Sequence, residues 1–488
     1  MDASALVILV CACLLCLALI VVLARAAATR RVPAAPPPLS APALEAAAGI
    51  EERLAALVRR PTVSWFDYGR TDAAAFEALK EDLVRLFPRV HDSLVRREIG
   101  EWALLYEWKG SDPSLAPAIF CSHFDVVPAD DAAEWSHPPF AGEIAEGYVW
   151  GRGSQDVKVT LAATLDAAER LLAEGFSPRR TLYFAFGGDE EVGGPRGAGA
   201  VSDWLAGQAI SAAFLLDEGG PIADGLLSFA DRPLALVGVA EKGYVDLVVE
   251  ATGAGGHASM PPRRTAAGDL ARAVAAIEAS PSPARLTKTV RSFLERVAPY
   301  ASFPYRLLFR NLWLFSGLVK TAFSASPSSN ALVRTTTAPT MLEGSSKENV
   351  LADRARANIN VRVIPGDSTP AVIDRLGRIA APFGCVVRLA HEGLAVEPLP
   401  ESSVEAEGYR AIESALAASF PEAACVPFLF SAGTDTKHYR DIAKDIYRLT
   451  PLRQTAKDLA GVHARDERVS IDNARRCAIF YKALIGSL

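Results

Sequence analysis

The chain has 488 residues, enough for about two to four domains at roughly 100–200 residues each. Half of the residues are hydrophobic and 22% are charged, which excludes a wholly disordered chain. Lys plus Arg number 51 against 57 Asp plus Glu, so the net charge of -6 gives no basic signature, and no nucleic-acid partner is expected.

Residues 3–24 are apolar, and no charged residue stands between Asp2 and Arg25. About 20 apolar residues cross a bilayer as a helix, so a retained single-pass transmembrane anchor and a membrane location are expected. A cleaved signal peptide competes, because Ala26-Ala27-Ala28 supplies small residues. That reading wants a basic start and an apolar run of about 7–15 residues, and this run is longer. Arg25, Arg30 and Arg31 lie on the C-terminal flank. The positive-inside rule then favours a cytoplasmic body, although three arginines leave the side open. Residues 25–43 carry Pro33, Pro36, Pro37, Pro38 and Pro42 and read as a semi-rigid linker. Cys11, Cys13 and Cys16 sit in the apolar run; Cys121, Cys385, Cys425 and Cys477 form no CxxC pair, so no disulfide scaffold is expected.

From Leu44 the pattern alternates between strand and helix, as in an α/β core. Ala116–Cys121, Thr181–Phe186 and Ala212–Leu216 read as short buried strands, and Thr160–Gly175 as a helix closed by its glycine. Tyr244–Glu250 alternates like a half-exposed strand, Ala267–Ser280 reads as an amphipathic helix, and Arg356–Ile364 as another strand. These features divide the body into a first core part at 44–239, an inserted α+β domain at 240–366, and a second core part at 367–488 that opens with a helix at Thr369–Gly384. Within the insert, Phe293–Phe323 is rich in aromatic and apolar residues. It reads as a packed helical hairpin, or as a wall for an apolar substrate or a membrane contact.

Five segments carry chemistry together. Cys121-Ser122-His123-Phe124-Asp125 follows a strand, with His123 and Asp125 at i and i+2 on one face. Trp150-Gly151-Arg152-Gly153-Ser154-Gln155-Asp156 places an acid after two glycines. Gly187-Gly188-Asp189-Glu190-Glu191 packs three acids behind a buried strand, which is costly without a cation or a shared proton. Leu216-Asp217-Glu218-Gly219 is another acid at a strand end, and Gly461-Val462-His463 lies near the C-terminus. Imidazoles and carboxylates suit zinc. Five side chains, His123, Asp156, Glu191, Asp217 and His463, serve two ions if one carboxylate bridges, and Asp156 is the expected bridge. Each segment alone has an ordinary structural reading as a turn, a cap or a solvated acidic loop.

The joint pattern, from about residue 45 to the end, resembles the di-zinc hydrolase family of carboxypeptidase S, the aminoacylases, succinyl-diaminopimelate desuccinylase and bacterial glutamate carboxypeptidases. The long insert and the N-terminal anchor look most like the branch of carboxypeptidase S and the N-fatty-acyl-amino-acid hydrolases. The resemblance implies a zinc-hydrolase core with a mixed sheet flanked by helices, and a lid that also dimerises. It implies two Zn2+ ions per subunit, with Co2+ or Mn2+ as substitutes. His123, Asp156 and Asp217 would hold one ion, and Asp156, Glu191 and His463 the other. Glu190 matches the general base, Asp125 the acid that orients the site, and Asp156–Val157 the family's non-proline cis peptide. In the lid, His257 matches a histidine that reaches the substrate carbonyl, often in the partner subunit's site; Asn330 and Arg362 match the substrate-carboxylate contacts, and Gly433-Thr434-Asp435 a substrate loop.

A dinucleotide fingerprint is not supported, because Gly151-Arg152-Gly153 lacks the third glycine. A Ser122 or Cys121 nucleophile beside His123 leaves four acids unexplained. The expected function is metal-dependent cleavage of an amide that releases a free amino acid, from a peptide or from an N-acyl amino acid. The alternative is an inactive, membrane-tethered binding module on the same scaffold.

Overall fold

The computed structural model describes residues 2–29, 32, 35–391 and 395–488; Arg30, Arg31 and Pro33 of the expected basic flank and linker lie outside them. The core is a mixed sheet of ten strands. Its centre is parallel: Leu182–Gly187 pairs with Ala118–His123, which pairs with Ala212–Asp217, which pairs with Ala443–Arg448. These strands are near-continuous apolar runs because helices cover both faces. Phe120, Phe184 and Leu216 point to one side, where Val159–Ala173, Glu407–Ser419 and Ile471–Gly486 pack. Ile119, Tyr183 and Leu215 point to the other, against Val201 and Leu205 of Ala198–Gly207. The helix expected to end on Gly175 does so: Gly175 adopts φ +75°, and the Phe176 N–H returns to the Leu171 carbonyl at 2.9 Å. Antiparallel Ala103–Trp108 and Val95–Ile99 extend one edge. On the other side Leu234–Glu241 joins the sheet and pairs in parallel with Ala424–Phe430.

The insert carries a separate four-stranded antiparallel sheet, in the order Thr336–Glu343, Arg354–Val363, Gly243–Thr252, Val386–Leu389. The two central strands alternate buried and half-buried residues, as a sheet with one packed face requires. Helices Ala266–Glu278 and Thr369–Ala380 cover that face through Leu270, Ala273, Ile277, Val372 and Leu376. The core therefore does not resume at Thr369. That helix and Val386–Leu389 belong to the lid, since Val386–Leu389 pairs with Gly243–Thr252 and Val396 bridges Tyr244. The helical pattern at 369–384 is right, but periodicity does not say which sheet a helix covers.

The aromatic stretch folds as helices Lys288–Val297, Phe303–Arg310 and Leu312–Phe323. They pack on the ten-stranded core sheet rather than on the four-stranded one: Phe293, Leu294 and Phe309 share a core with Leu234, Leu236, Val426 and Leu429. The N-terminal helix, Ala3–Ala28, spans 26 residues, or about 39 Å at 1.5 Å per residue, longer than the ~30 Å hydrocarbon layer. Nearly all of it is exposed; Val22 and Ala26 are its buried residues.

Candidate metal centre and active site

The parallel register sets the site. His123 ends its strand opposite Gly187, so the acidic turn after Gly187 emerges beside the imidazole. Asp217 ends the next strand. Sites in open α/β sheets collect at these carboxyl ends.

The three consecutive acids divide their work. Asp189 turns into the protein, accepting from the Tyr68 hydroxyl at 2.8 Å and from the N–H groups of Arg196 and Gly197 at 2.9 and 2.8 Å. Glu190 and Glu191 face the site, and their backbone N–H groups both donate to Asp125, at 3.1 Å each. Asp125 is fully buried, accepts from the Ser64 hydroxyl at 2.7 Å, and stands 3.3 Å from His123 Nδ1. Asp125 thus fixes the acidic turn through its carboxylate and the imidazole through its carbonyl, 3.1 Å from His123 Nδ1, leaving His123 Nε2 for the site.

Asp156 is the meeting point. Its Oδ1 lies 3.2 Å from His123 Nε2 and its Oδ2 lies 3.0 Å from His463 Nε2. His463 Nε2 is also 3.2 Å from Glu191 Oε1. The Asp156–Val157 peptide is cis. Glu467, four residues after His463, holds this loop in place. Its carboxylate accepts from the N–H groups of Gly153, Gln155 and Asp156 at 3.0, 2.8 and 3.2 Å, and pairs with Arg152 at 2.6 Å. Arg152 also donates to the His463 carbonyl at 3.2 Å, so one buried ion pair clamps the loops of Asp156 and His463 together.

Two groups of ligand-type side chains result: His123, Asp156 and Glu218, and Asp156, Glu191 and His463. The second is the expected one. In the first, Glu218 stands where Asp217 was expected, with Oε1 3.2 Å from His123 Nε2. Asp217 is buried behind it, and its Oδ2 has no hydrogen-bond partner. Glu191 Oε1 is buried as well, with His463 Nε2 at 3.2 Å. Buried carboxylates crowded against imidazoles, one oxygen of Asp217 unpaired among them, are what a cation would satisfy, so the residues present fit a metal pair.

The electrostatics agree. Burial raises Glu190 well above the ordinary carboxylate range and takes Asp217 to about 6 and Glu218 to about 8. Burial opposes charge on His123, but Glu218, Asp125 and Asp156 outweigh it and raise the imidazole. Hydrogen bonds donated to the Asp156 and Glu191 carboxylates raise His463 to about 10. Asp156 is held low: burial opposes its charge, and both histidines overcome that. Among the described residues the Glu190 carboxylate accepts no hydrogen bond, which leaves it free to take a proton.

The expected substrate residues fall in different places. Arg362 lies over the Tyr244 ring at 4.6 Å and is close enough to Lys242 to help hold its pKa down, behind the larger effect of burial. Lys242 Nζ donates to the carbonyls of Ala331 and Arg334 at 3.1 and 3.0 Å, which ties this cluster to the helix Pro327–Val333 that carries Asn330. His257 is exposed; its Nδ1 accepts from the Ser259 N–H at 3.1 Å, and it joins neither metal group. Gly433 is exposed, whereas the Thr434 hydroxyl is engaged inside the protein, donating to Glu241 at 2.9 Å. Asp435, beside them, is a buried acid whose Oδ1 has no partner.

Residues 119–487 match the family described as peptidase family M20/M25/M40. The chain is 39% identical over 440 residues to a probable carboxypeptidase S-like protein of Dictyostelium discoideum, covering 89% of this chain and 84% of that one. It is 37% identical over 430 residues to an N-fatty-acyl-amino acid synthase/hydrolase of Mus musculus, covering 87% and 84%. A solved metallo-carboxypeptidase of Sulfolobus solfataricus has the same fold, with a TM-score of 0.62 at 16% identity over 90% of this chain and 98% of that one. With the ligand-type side chains gathered at one end of the sheet, these matches place the chain in peptidase family M20/M25/M40 as an amide-bond hydrolase.

Proposed function

We propose that the chain is a two-zinc hydrolase that cleaves an N-acyl amino acid with a long apolar acyl group into a carboxylate and a free amino acid. The observation that carries the metal assignment is Asp156, whose two oxygens face the ring nitrogens of two different histidines, as a bridging carboxylate does. His123 would hold one ion with Asp156 and Glu218, and Glu191 and His463 would hold the other with Asp156. When bound, the ions supply a water acid enough to attack an amide carbonyl and a pull on that carbonyl's electrons.

The chain's own groups do the rest. Glu190, raised by burial, takes a proton from the attacking water and passes it to the leaving nitrogen. Asp125 keeps Glu190 and His123 in register. Arg362 and Asn330 hold the substrate carboxylate, for which a planar guanidinium is well shaped. Gly433 and Thr434 border the substrate, Thr434 through its backbone because its hydroxyl is taken by Glu241. His257 polarises the scissile carbonyl, and its exposed position suits a lid that serves the partner subunit of a homodimer. The apolar helices Phe303–Arg310 and Leu312–Phe323, which lead into the helix of Asn330, favour an acyl chain over a plain peptide. The helix Ala3–Ala28 serves as a retained membrane anchor.

The test is amine release by the full chain in detergent, comparing a long-chain N-acyl phenylalanine with an unmodified dipeptide. Chelator-sensitive release, faster from the acyl substrate, is expected. Glu190→Gln is expected to keep its metal and lose about 10²–10⁴-fold in turnover. Preference for the dipeptide overturns the substrate assignment, and full activity of Glu190→Gln overturns the mechanism.

A further inference from the structure

The anchor helix is not a free tether. Its last turn is seated on the aromatic hairpin, with Val22 4% and Ala26 0% exposed, and it packs along Phe303–Arg310. Three polar bonds stitch the contact. Asn311 Nδ2 donates to the Val22 carbonyl at 3.1 Å, Arg25 Nε donates to the Arg310 carbonyl at 3.1 Å, and the Val32 N–H donates to the Pro299 carbonyl at 3.3 Å. Asn311 is wholly buried, and its Oδ1 accepts from the Trp313 indole at 3.3 Å. A buried amide satisfied by the anchor on one side and by Trp313 on the other fixes the hairpin to the end of the anchor.

What the hairpin leaves uncovered is apolar. On Leu312–Phe323 the exposed positions Leu314, Gly317, Leu318 and Thr321 follow the i, i+3, i+4, i+7 spacing of one helix face, with Trp313 beside them. Phe303 and Tyr305 of the preceding helix are 47% and 40% exposed, and Trp313, Leu314 and Leu318 are 56%, 49% and 56% exposed. The anchor's uncharged run stops just before Arg25, the residue bonded to Arg310, so the stitch lies where a membrane-spanning helix leaves the hydrocarbon. Residues 298–333 hold Arg306, Arg310 and Lys320 and no acid.

Resting on the anchor reading above, we propose that the hairpin Phe303–Phe323 lies in the interface of the bilayer the anchor crosses, with Trp313, Leu314 and Leu318 among the acyl chains and the basic residues at the phosphates. Trp and Tyr favour that depth, and cations favour an anionic headgroup layer. The hairpin passes through three residues, Ser324–Ser326, into the helix of Asn330. A substrate with a fatty acyl chain and a free carboxylate therefore reaches the site sideways from the membrane, its chain along the hairpin and its carboxylate toward Asn330 and Arg362.

The test uses the full chain in phosphatidylcholine vesicles with brominated acyl chains, which quench nearby indoles. Of the seven tryptophans, Trp313 is the exposed one; Trp65 and Trp204 are half-buried and the others buried. Quenching is expected in the wild type and mostly lost in Trp313→Phe. Leu314→Gln with Leu318→Gln is expected to raise KM severalfold for a vesicle-borne N-acyl phenylalanine and to leave kcat for a short-chain N-acetyl substrate unchanged. Equal quenching in the wild type and Trp313→Phe overturns the proposal, as does an unchanged KM in the double variant. Alkaline carbonate extraction of the same vesicles separates the two readings. A chain that resists extraction but shows no Trp313 quenching keeps the anchor and loses the hairpin contact, whereas a chain that is extracted loses both.

Discussion

Asp125 illustrates how little of a buried carboxylate's work is local. Its carboxylate accepts two backbone N–H groups from the acidic turn and one serine hydroxyl, and it stands behind His123. The i, i+2 spacing placed it near the imidazole, but Glu190 and Glu191 lie 65 and 66 positions on, in the turn after a strand adjacent in the sheet. The two imidazoles give a pH consequence. His463 is raised from 6.5 to about 10 and His123 is raised as well, so both carry a proton at neutral pH when no cation is present. Below pH 6.5 this protonation contributes fully to the stability of the metal-free fold, and the His463 share is lost as pH rises through about 10. A ligating imidazole must be neutral, so zinc loading at pH 7 releases about one to two protons and tightens as pH rises. Calorimetry in buffers of different ionisation enthalpy measures that release; none at pH 7 would contradict the ligand roles of both histidines. That His123, Asp156, Glu191 and His463 come together was legible because chemistry restricts which residue types can hold a metal. The choice between Asp217 and Glu218 was not, because adjacent acids at a strand end differ only in how each side chain turns, and the geometry puts Glu218 beside His123 while Asp217 keeps an unpaired oxygen.

At the level of elements, the site is held by two buried ion pairs that no motif reveals. Arg152–Glu467 ties the Asp156 loop to the His463 loop, and nothing in the spacing of the two residues shows that they meet. Arg448 and Glu241, 1% and 4% exposed, join two core strands at 2.5 Å, with Thr434 and Thr436 completing the network. Removing one member strands the other charge. Arg448→Met is expected to cost about 3–5 kcal/mol in urea denaturation, and adding Glu241→Leu to recover most of it. A loss below about 1 kcal/mol for Arg448→Met would show that water reaches Glu241. The central strands were legible as unbroken apolar runs, and the lid strands as alternation. The end of the lid was not: Val386–Leu389 is short and half-exposed, and its membership rests on pairing with Gly243–Thr252, more than 130 positions earlier. The packing of the aromatic helices on the catalytic sheet was equally hidden, since an apolar stripe names a buried face and not its neighbour.

Over the whole molecule, the core sheet, the lid and the aromatic hairpin each carry residues of the proposed site. The sheet brings His123, Glu190, Glu191 and Asp217 to adjacent strand ends, and the clamped loops add Asp156 and His463. The lid sheet carries Arg362, and the hairpin leads to Asn330. This convergence has a purpose only if a cation pair sits at its centre, because so many buried acids are otherwise a standing cost. The most direct measurement is the zinc content of the purified full chain and of Asp156→Asn by elemental analysis, with circular dichroism confirming the fold of both. The wild type is expected to hold about two ions per chain and Asp156→Asn close to none, since the bridge serves both. A wild type with about one ion, or an Asp156→Asn variant that keeps about two, would contradict a dinuclear centre bridged by Asp156.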